Sequence, residues 1–496
     1  MVLVPSFTRF LQPFSHHMTR PSYASFCTLV GGWIFAARHH VTGSLRAVHQ
    51  AERRGRRGTP KHFGAYHRVF AAAQWSLDAV GLALLAMILN TALVLDKTVF
   101  LVIDDTLCAK CGRRMFGVDS HYDAANTSRR RSNSNQSLKR RGHCWVLLGV
   151  LIPLPFTVNR FVCLPVLFRL YMNTKAACRN KTRYRSRPEL ARELLNLVCA
   201  QHPRRCFHAL VDSAYAGQDT LRQLPVNCQL TARWQMNVKL CEPLREAPGE
   251  PLGKSESARR KTNRRNRHGA LLPKPHQMLD APRCERLNVE LYGKSQQMRI
   301  DSRLACLFTV PERLLRLLAV EPLTASGKPR HKYRAFYYST DTNADATQVL
   351  QWYALRWTIE VAIHDAKQQM GFNQPQGWSK PAALRTAPTL MLLYSTIVLW
   401  FTREGHTHYR KPIWPWYRHK TTISFADMLV TLRLQMLRHH LKQNLSEENQ
   451  TETADQTSDQ NPRKNPCENQ TLHNPLKKQG SKNPLRMLLR LAHLAA

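Results

Sequence analysis

The chain has 496 residues with a hydrophobic fraction of 43%, long enough for two or three domains and apolar enough to bury a core, which excludes wholesale disorder. Lys and Arg total 73 against 33 acidic residues, a formal net charge of +40. A surplus of that size attracts polyanions over long range; nucleic acid is the first partner it suggests and an anionic membrane the rival.

Residues 1–90 read as helical. Phe7, Phe10, Leu11 and Phe14 recur at helical spacing, and the piece at 66–89 follows the same pattern. The basic, glycine-containing stretch AERRGRRGTPKHFG between them reads as a loop, either solvated or in contact with phosphates. Two apolar runs, at 79–95 and 387–401, raise the question of a membrane. A spanning helix needs about 20 apolar residues. The first run contains Asn90, and the second is short with Pro388 near its start, so both are expected to be buried helices and no membrane partner is expected. The 13 cysteines have no repeating spacing, and no long apolar stretch surrounds 9–14, which suggests a reducing, cytoplasmic setting with free thiols. Cys108 and Cys111 form a lone CxxC that lacks two further zinc ligands, His121 being only a candidate.

From residue 97 the pattern changes. KTVFLVIDD at 97–105 and CFHALVD at 206–212 are short, β-branched or apolar runs ending in carboxylates, and CWVLLGVLIPL at 144–154 is a third apolar run, without a carboxylate. All three read as buried strands, the polar RRRSNSNQSLKRR between the first and third as a loop, and 188–200 as a helix. Strands alternating with helices imply an α/β core. Residues 226–338 read as a mainly β insertion, with strands at 287–291, 304–310, 314–320 and 333–338 and a basic loop, KSESARRKTNRRNRHG, before them. A long helix is expected at 346–370, capped by Asn343 or Asp345, and another through 390–401. After Lys442 the composition turns to Asn, Gln, Glu, Ser and Thr, which predicts a disordered polar tail with one short amphipathic helix at its end.

Three segments carry candidate chemistry: VIDDT at 102–106, LVDSAY at 210–215 and YALRWTIEVAIHDAK at 353–367. On one continuous helix Tyr353, Arg356, Glu360 and Lys367 fall within a wedge about 60° wide. An exposed polar face with ordinary ion pairs would look the same. The two strands ending in Asp favour function, because ligands bind at strand ends in α/β folds.

The four residues stand at the spacing Tyr-x2-Arg-x3-Glu-x6-Lys, Asp105–Thr106 supplies an Asp-Thr pair, and Asp212 to Tyr215 supplies Asp-x-Ala-Tyr. With these motifs the chain resembles the DDE superfamily of insertion-sequence transposases, over about residues 60–435. The resemblance implies an RNase H-like core with a β-rich insertion. It also implies Asp105, Asp212 and Glu360 as catalytic carboxylates that hold Mg²⁺ or Mn²⁺, two ions in all, and Tyr353, Arg356 and Lys367 as DNA contacts. Of the adjacent carboxylates Asp104 and Asp105, only one can readily reach a shared site from a strand, and motif matching selects Asp105.

The expected organisation is a helical DNA-binding region at 1–90, the first part of the core at 91–225, the insertion at 226–338, the second part at 339–440 and the tail at 441–496. The expected function is cleavage at transposon ends and strand transfer of the freed 3′-OH into target DNA. Double-stranded DNA would be the partner, the chain would be a homodimer or higher oligomer on it, and the setting would be a bacterial nucleoid. A nuclease without strand transfer, a catalytically inactive DNA-binding derivative and a basic membrane-associated protein are the alternatives.

Overall fold

The computed structural model describes residues 3–52, 61–91, 93–94, 97–112, 114–122, 139–157, 160–243, 269–282, 284–411, 420 and 422–458. The basic stretches at 129–138 and 254–267, and everything beyond 458, lie outside the described residues. The chain forms two compact units, Phe70–Ser395 and a second made of Met1–Val69 with Thr396–Ala496.

The larger unit is built on one mixed sheet. Its first part contains β1 (Val99–Ala109), β2 (Asp119–Tyr122), β3 (Lys139–Pro153), β4 (Phe161–Tyr171), β5 (Phe207–Val211) and β6 (Cys228–Trp234). Strand β3 runs antiparallel to both β1 and β4, whereas β5 lies parallel to β1 and β6 parallel to β5. This mixed arrangement, a meander followed by two parallel strands reached through helices, is consistent with the expected RNase H-like core. The strands that follow extend the same sheet: β12 (Ala335–Ser339) pairs with β6, β11 (Val310–Pro322) with β12, and β10 (Lys294–Leu307) with β11. Strands β7 (Leu240–Cys241), β8 (Leu271–Leu272) and β9 (Glu285–Leu291) complete its far edge.

Helices cover both faces of the first part. On one, the helix Leu77–Leu89 crosses β4 so closely that a side chain at Gly81 would meet the Val166 carbonyl at 2.2 Å, which requires glycine there. The helix Arg187–Gln201 lies on the same face, opened by a capping box between Ser186 and Glu189. Arg169 of β4 ties both helices to the sheet through Asp78 at 2.8 Å and Glu193 at 2.7 Å. The other face carries two helices, Ala346–Leu355 and Trp357–Gln369. The first packs on the extension through a core of Val289, Leu291, Ile300, Leu318, Val320, Val349 and Leu350.

The smaller unit is helical. Its helix Arg20–Phe35 touches the helix Val41–Glu52 so closely that a side chain at Gly32 would meet the Ser44 carbonyl at 2.3 Å. The long helix Phe425–Ser458 joins it, Arg433 donating to the Ile34 carbonyl at 2.7 Å.

Several expectations need correction. Strand β1 continues past its carboxylates to Ala109, because pairing with β3 continues to Gly142. Strand β3 begins at Lys139, inside the stretch expected to be a loop. Strand β4 is not among the expected strands, and its Pro165 lies mid-run, where a proline argues against pairing. It is accommodated at a bulge, where the register with β3 shifts between Leu148 and Gly149. The helix expected at 346–370 is two, meeting at Arg356, whose N–H reaches back no further than the Tyr353 carbonyl, at 3.0 Å. Of the two proposed caps, Asp345 is the one used, its carboxylate accepting from the Gln348 N–H at 2.8 Å. The polar segment after Lys442 is helical as far as Ser458. The apolar run at 387–401 belongs to a 24-residue helix, Lys380–Arg403, the one described helix long and apolar enough to cross a membrane. Of its most apolar window, 83% is buried within the chain, as in a core helix.

Candidate active site

The strands position the carboxylates. The parallel register of β1 and β5 pairs Ile103 with Val211, the last residue of β5, so that continuing the same register by one step would bring Asp104 level with Asp212. Adjacent strands are about 4.8 Å apart, and residues at matching positions share a face. That face is the one covered by the Glu360 helix, as Lys367 shows by donating to the Thr106 hydroxyl at 2.7 Å and the Leu107 carbonyl at 3.0 Å. Asp104 therefore faces the helix. Its Oδ2 accepts from Arg356 Nη1 at 2.9 Å, and Arg356 Nη2 donates to Glu360 Oε1 at 2.6 Å. One guanidinium thus bridges two carboxylates carried by different elements.

Asp105 points the other way. Its Oδ1 accepts from the Tyr215 hydroxyl at 2.6 Å, its Oδ2 from the Cys144 thiol at 3.4 Å, and Arg187 approaches Oδ2 to 3.5 Å. The expectation that Asp105 groups with Asp212 and Glu360 does not match this geometry, because consecutive strand residues alternate faces and the Glu360 helix covers the Asp104 side.

The environment explains the electrostatics. Burial pushes the Asp104 carboxyl up to about 7; Arg356 opposes this, while Asp105 and Glu360 add to it. Arg356 is itself buried, which works against its charge, but Asp104, Tyr353 and Glu360 hold it firmly protonated. Tyr353 is buried: its ring lies 4.8 Å from that of Tyr337, with the Arg356 guanidinium 5.8 Å from its centroid. Burial pushes its phenol above the ordinary value, and the negative charge of Asp212 adds to that shift.

Asp212 caps the turn after β5, its carboxylate accepting from the Ser213 N–H at 2.7 Å and its carbonyl from the Tyr215 N–H at 2.9 Å. Of the three residues expected to contact DNA, Tyr353 thus packs inward, Lys367 holds the helix onto β1, and Arg356 bridges carboxylates. Arg233 on β6 adds a second cation near Tyr337 and Tyr353; sequence reasoning passed over it because no motif contains it. Trp234, weighed as a base-holding or core residue, is half-buried with its ring 6.4 Å from that of Tyr338.

Asp104, Asp212 and Glu360 offer hard oxygen donors, the chemistry that Mg²⁺ and Mn²⁺ favour. Among the described residues no group of three or more His, Cys, Asp or Glu is drawn together closely enough to hold an ion. Arg356 supplies the positive charge between two of them instead. The oxygen donors of Asp104, Asp212 and Glu360 are of the kind that would hold a divalent cation, and Arg356 is the cation that now stands between Asp104 and Glu360.

No curated protein matches the chain. A family described as DDE superfamily endonuclease matches residues 30–301, which includes Asp104, Asp105 and Asp212 and stops short of the Glu360 helix. On that match, which covers more than half of its length, the chain belongs to the DDE superfamily of endonucleases.

Proposed function

We propose that this endonuclease is an insertion-sequence transposase of the branch marked by Tyr-x2-Arg-x3-Glu-x6-Lys, cutting at the ends of its element and joining the freed 3′-OH to target DNA. The observation that supports it is Asp104 on β1 and Asp212 directly after the end of the parallel neighbour β5, with Asp104 facing a helix whose Glu360 is tied to it through Arg356. In this reading the catalytic carboxylates are Asp104, Asp212 and Glu360, with Asp105 in a supporting role. A pair of divalent cations on these oxygens would activate the attacking oxygen and stabilise the leaving one.

The protein's own groups do the rest. Asp212 is fixed by its turn, so one carboxylate is aimed before substrate arrives. Arg356, Arg233 and the net surplus of 40 positive charges supply cations for phosphates. Lys367 anchors the Glu360 helix to β1 at Thr106, which sets the height of Glu360 over the sheet. The chain would act as a dimer or higher oligomer on DNA, since two element ends must be cut and joined.

The test supplies duplexes ending in the inverted repeats that flank the coding region, a supercoiled plasmid target and Mg²⁺. Joined donor–plasmid product is the expected result. Cleavage with no joined product would replace this reading with a nuclease that lacks strand transfer.

A further inference from the structure

We propose that Arg356 is an internal counter-cation that closes the Asp104–Glu360 pair in the free chain and leaves it for DNA phosphate, so that the pair takes up a divalent cation only when DNA is bound. This rests on the reading of Asp104 and Glu360 as metal ligands.

Three observations carry it. The two terminal nitrogens of one guanidinium donate to one oxygen from each carboxylate, at 2.9 Å and 2.6 Å. Mg²⁺ needs its oxygens at about 2.0–2.1 Å, so a bridging ion and the guanidinium exclude each other. Next, Arg356 is incompletely satisfied where it stands. Its Nε is buried and makes no hydrogen bond, although arginine's fork is suited to bidentate anions such as phosphate. Finally, the residue sits at the break between the helices Ala346–Leu355 and Trp357–Gln369, where backbone closure is by short turns rather than a continuous helical ladder. A side chain there can swing without unwinding a helix interior. Lys367 is no substitute, because its ammonium is engaged with a hydroxyl and a carbonyl.

The consequence is an order of events: phosphate first, metal second. Metal-dependent cutting would then be confined to chains already on DNA.

The experiment measures Mn²⁺ binding to the full chain by electron paramagnetic resonance of the free ion. The wild type and Arg356→Ala are compared with and without a short duplex, the duplex alone being subtracted. Without DNA, Arg356→Ala should bind Mn²⁺ at least about tenfold more tightly than the wild type. Adding duplex should tighten the wild type by a similar factor and change the variant little, as expected when two ligands are coupled through one group. Introducing Asp104→Asn into Arg356→Ala should remove the gained affinity. Equal affinity of wild type and variant without DNA, or a gain that survives Asp104→Asn, overturns the proposal. If Arg356→Ala is unfolded by circular dichroism, Arg356→Gln takes its place, and the wild-type pair of measurements with and without duplex decides independently. Absence of Mn²⁺ binding in every state would overturn the carboxylate assignment itself, whereas equal binding in every state overturns only the gate.

Discussion

The two faces of β1 carry the same side chain at consecutive positions and surround it differently. On one, Asp104 meets a guanidinium shared with Glu360, with Asp212 directly after the end of the neighbouring strand. On the other, Asp105 meets the hydroxyl of a buried tyrosine, a thiol and the edge of Arg187. The first face gathers negative charge and balances it with one shared guanidinium; the second disperses a single charge among hydrogen-bond donors held by the core. Repulsion among nearby carboxylates is a cost that a catalytic site can use to attract metal. A carboxylate satisfied by a phenol and an arginine needs no ion.

The largest effect should come from exchanging the chemistry of the two faces. Asp104→Asn should reduce strand cleavage in Mg²⁺ by roughly 10³- to 10⁴-fold, the scale of losing a central catalytic group. Glu360→Gln should do the same while DNA binding persists or tightens, since a negative charge near phosphate is removed. Asp105→Asn should leave cleavage within about tenfold of wild type in protein that is still folded. A gel assay of nicking alongside an anisotropy titration separates the outcomes. Loss of cleavage in Asp105→Asn with Asp104→Asn active would return the site to the carboxylate selected by motif matching.

How far the sequence reveals this arrangement depends on the residue. The runs around 99–105, 144–153 and 207–211 are legible as strands because buried strands in a sheet covered on both faces are apolar throughout. The helix bearing Glu360 is legible from its apolar period. The face on which each Asp lies is not, because that is set by register between β1 and β5 and by which face the helix covers, both non-local properties. Nor is β4, whose Pro165 argues against pairing until the bulge opposite Gly149 is known. The break at Arg356 is equally hidden: the apolar period continues through it.

A smaller effect concerns acid. Two histidines, His143 and His208, lie on the Asp104 side of the sheet: His143 pairs with Cys108, and His208 packs 4.6 Å from Trp352 and bonds to the Thr231 hydroxyl at 2.7 Å. Burial drives both from an ordinary 6.5 down to about 4. The folded chain therefore binds fewer protons than the unfolded one between these values. Their contribution to stability is complete above about pH 6.5 and is lost as the pH falls toward 4, by up to about 3 kcal/mol for each. The raised Asp104 carboxyl acts in the opposite direction as the pH falls below about 7, so the histidine loss is read by comparison: between pH 7 and 4.5, urea melts of His208→Gln should lack about 3 kcal/mol of the acid loss present in the wild type. An unchanged pH dependence would mean that the Asp104 side is already open to water in the folded chain.

The smallest effect tests whether the Asp105 face is structural. Tyr215 is buried and its phenol is pushed well above the ordinary value by burial and by the charge of Asp105, so it stays protonated and donates its hydrogen to that carboxylate. Tyr215→Phe keeps the ring in the core and removes only the donor. Asp105 retains Arg187 and Cys144, and its partial exposure lets water replace part of what is lost. The expected cost is about 1–2 kcal/mol of stability, the value of one hydrogen bond to a charged group after solvent compensation. Below the melting temperature, cleavage should be unchanged, because Tyr215 approaches the site from the face away from Glu360. Combining Tyr215→Phe with Asp105→Asn should cost less than the sum of the two alone, since both variants break the same contact. The measurement is a denaturant melt of the four proteins together with single-turnover cleavage at a temperature where all are folded. Strict additivity would show that the phenol and the carboxylate act independently. A fall in cleavage with no fall in stability would move Tyr215 from the supporting face into the chemistry, and Asp105 with it.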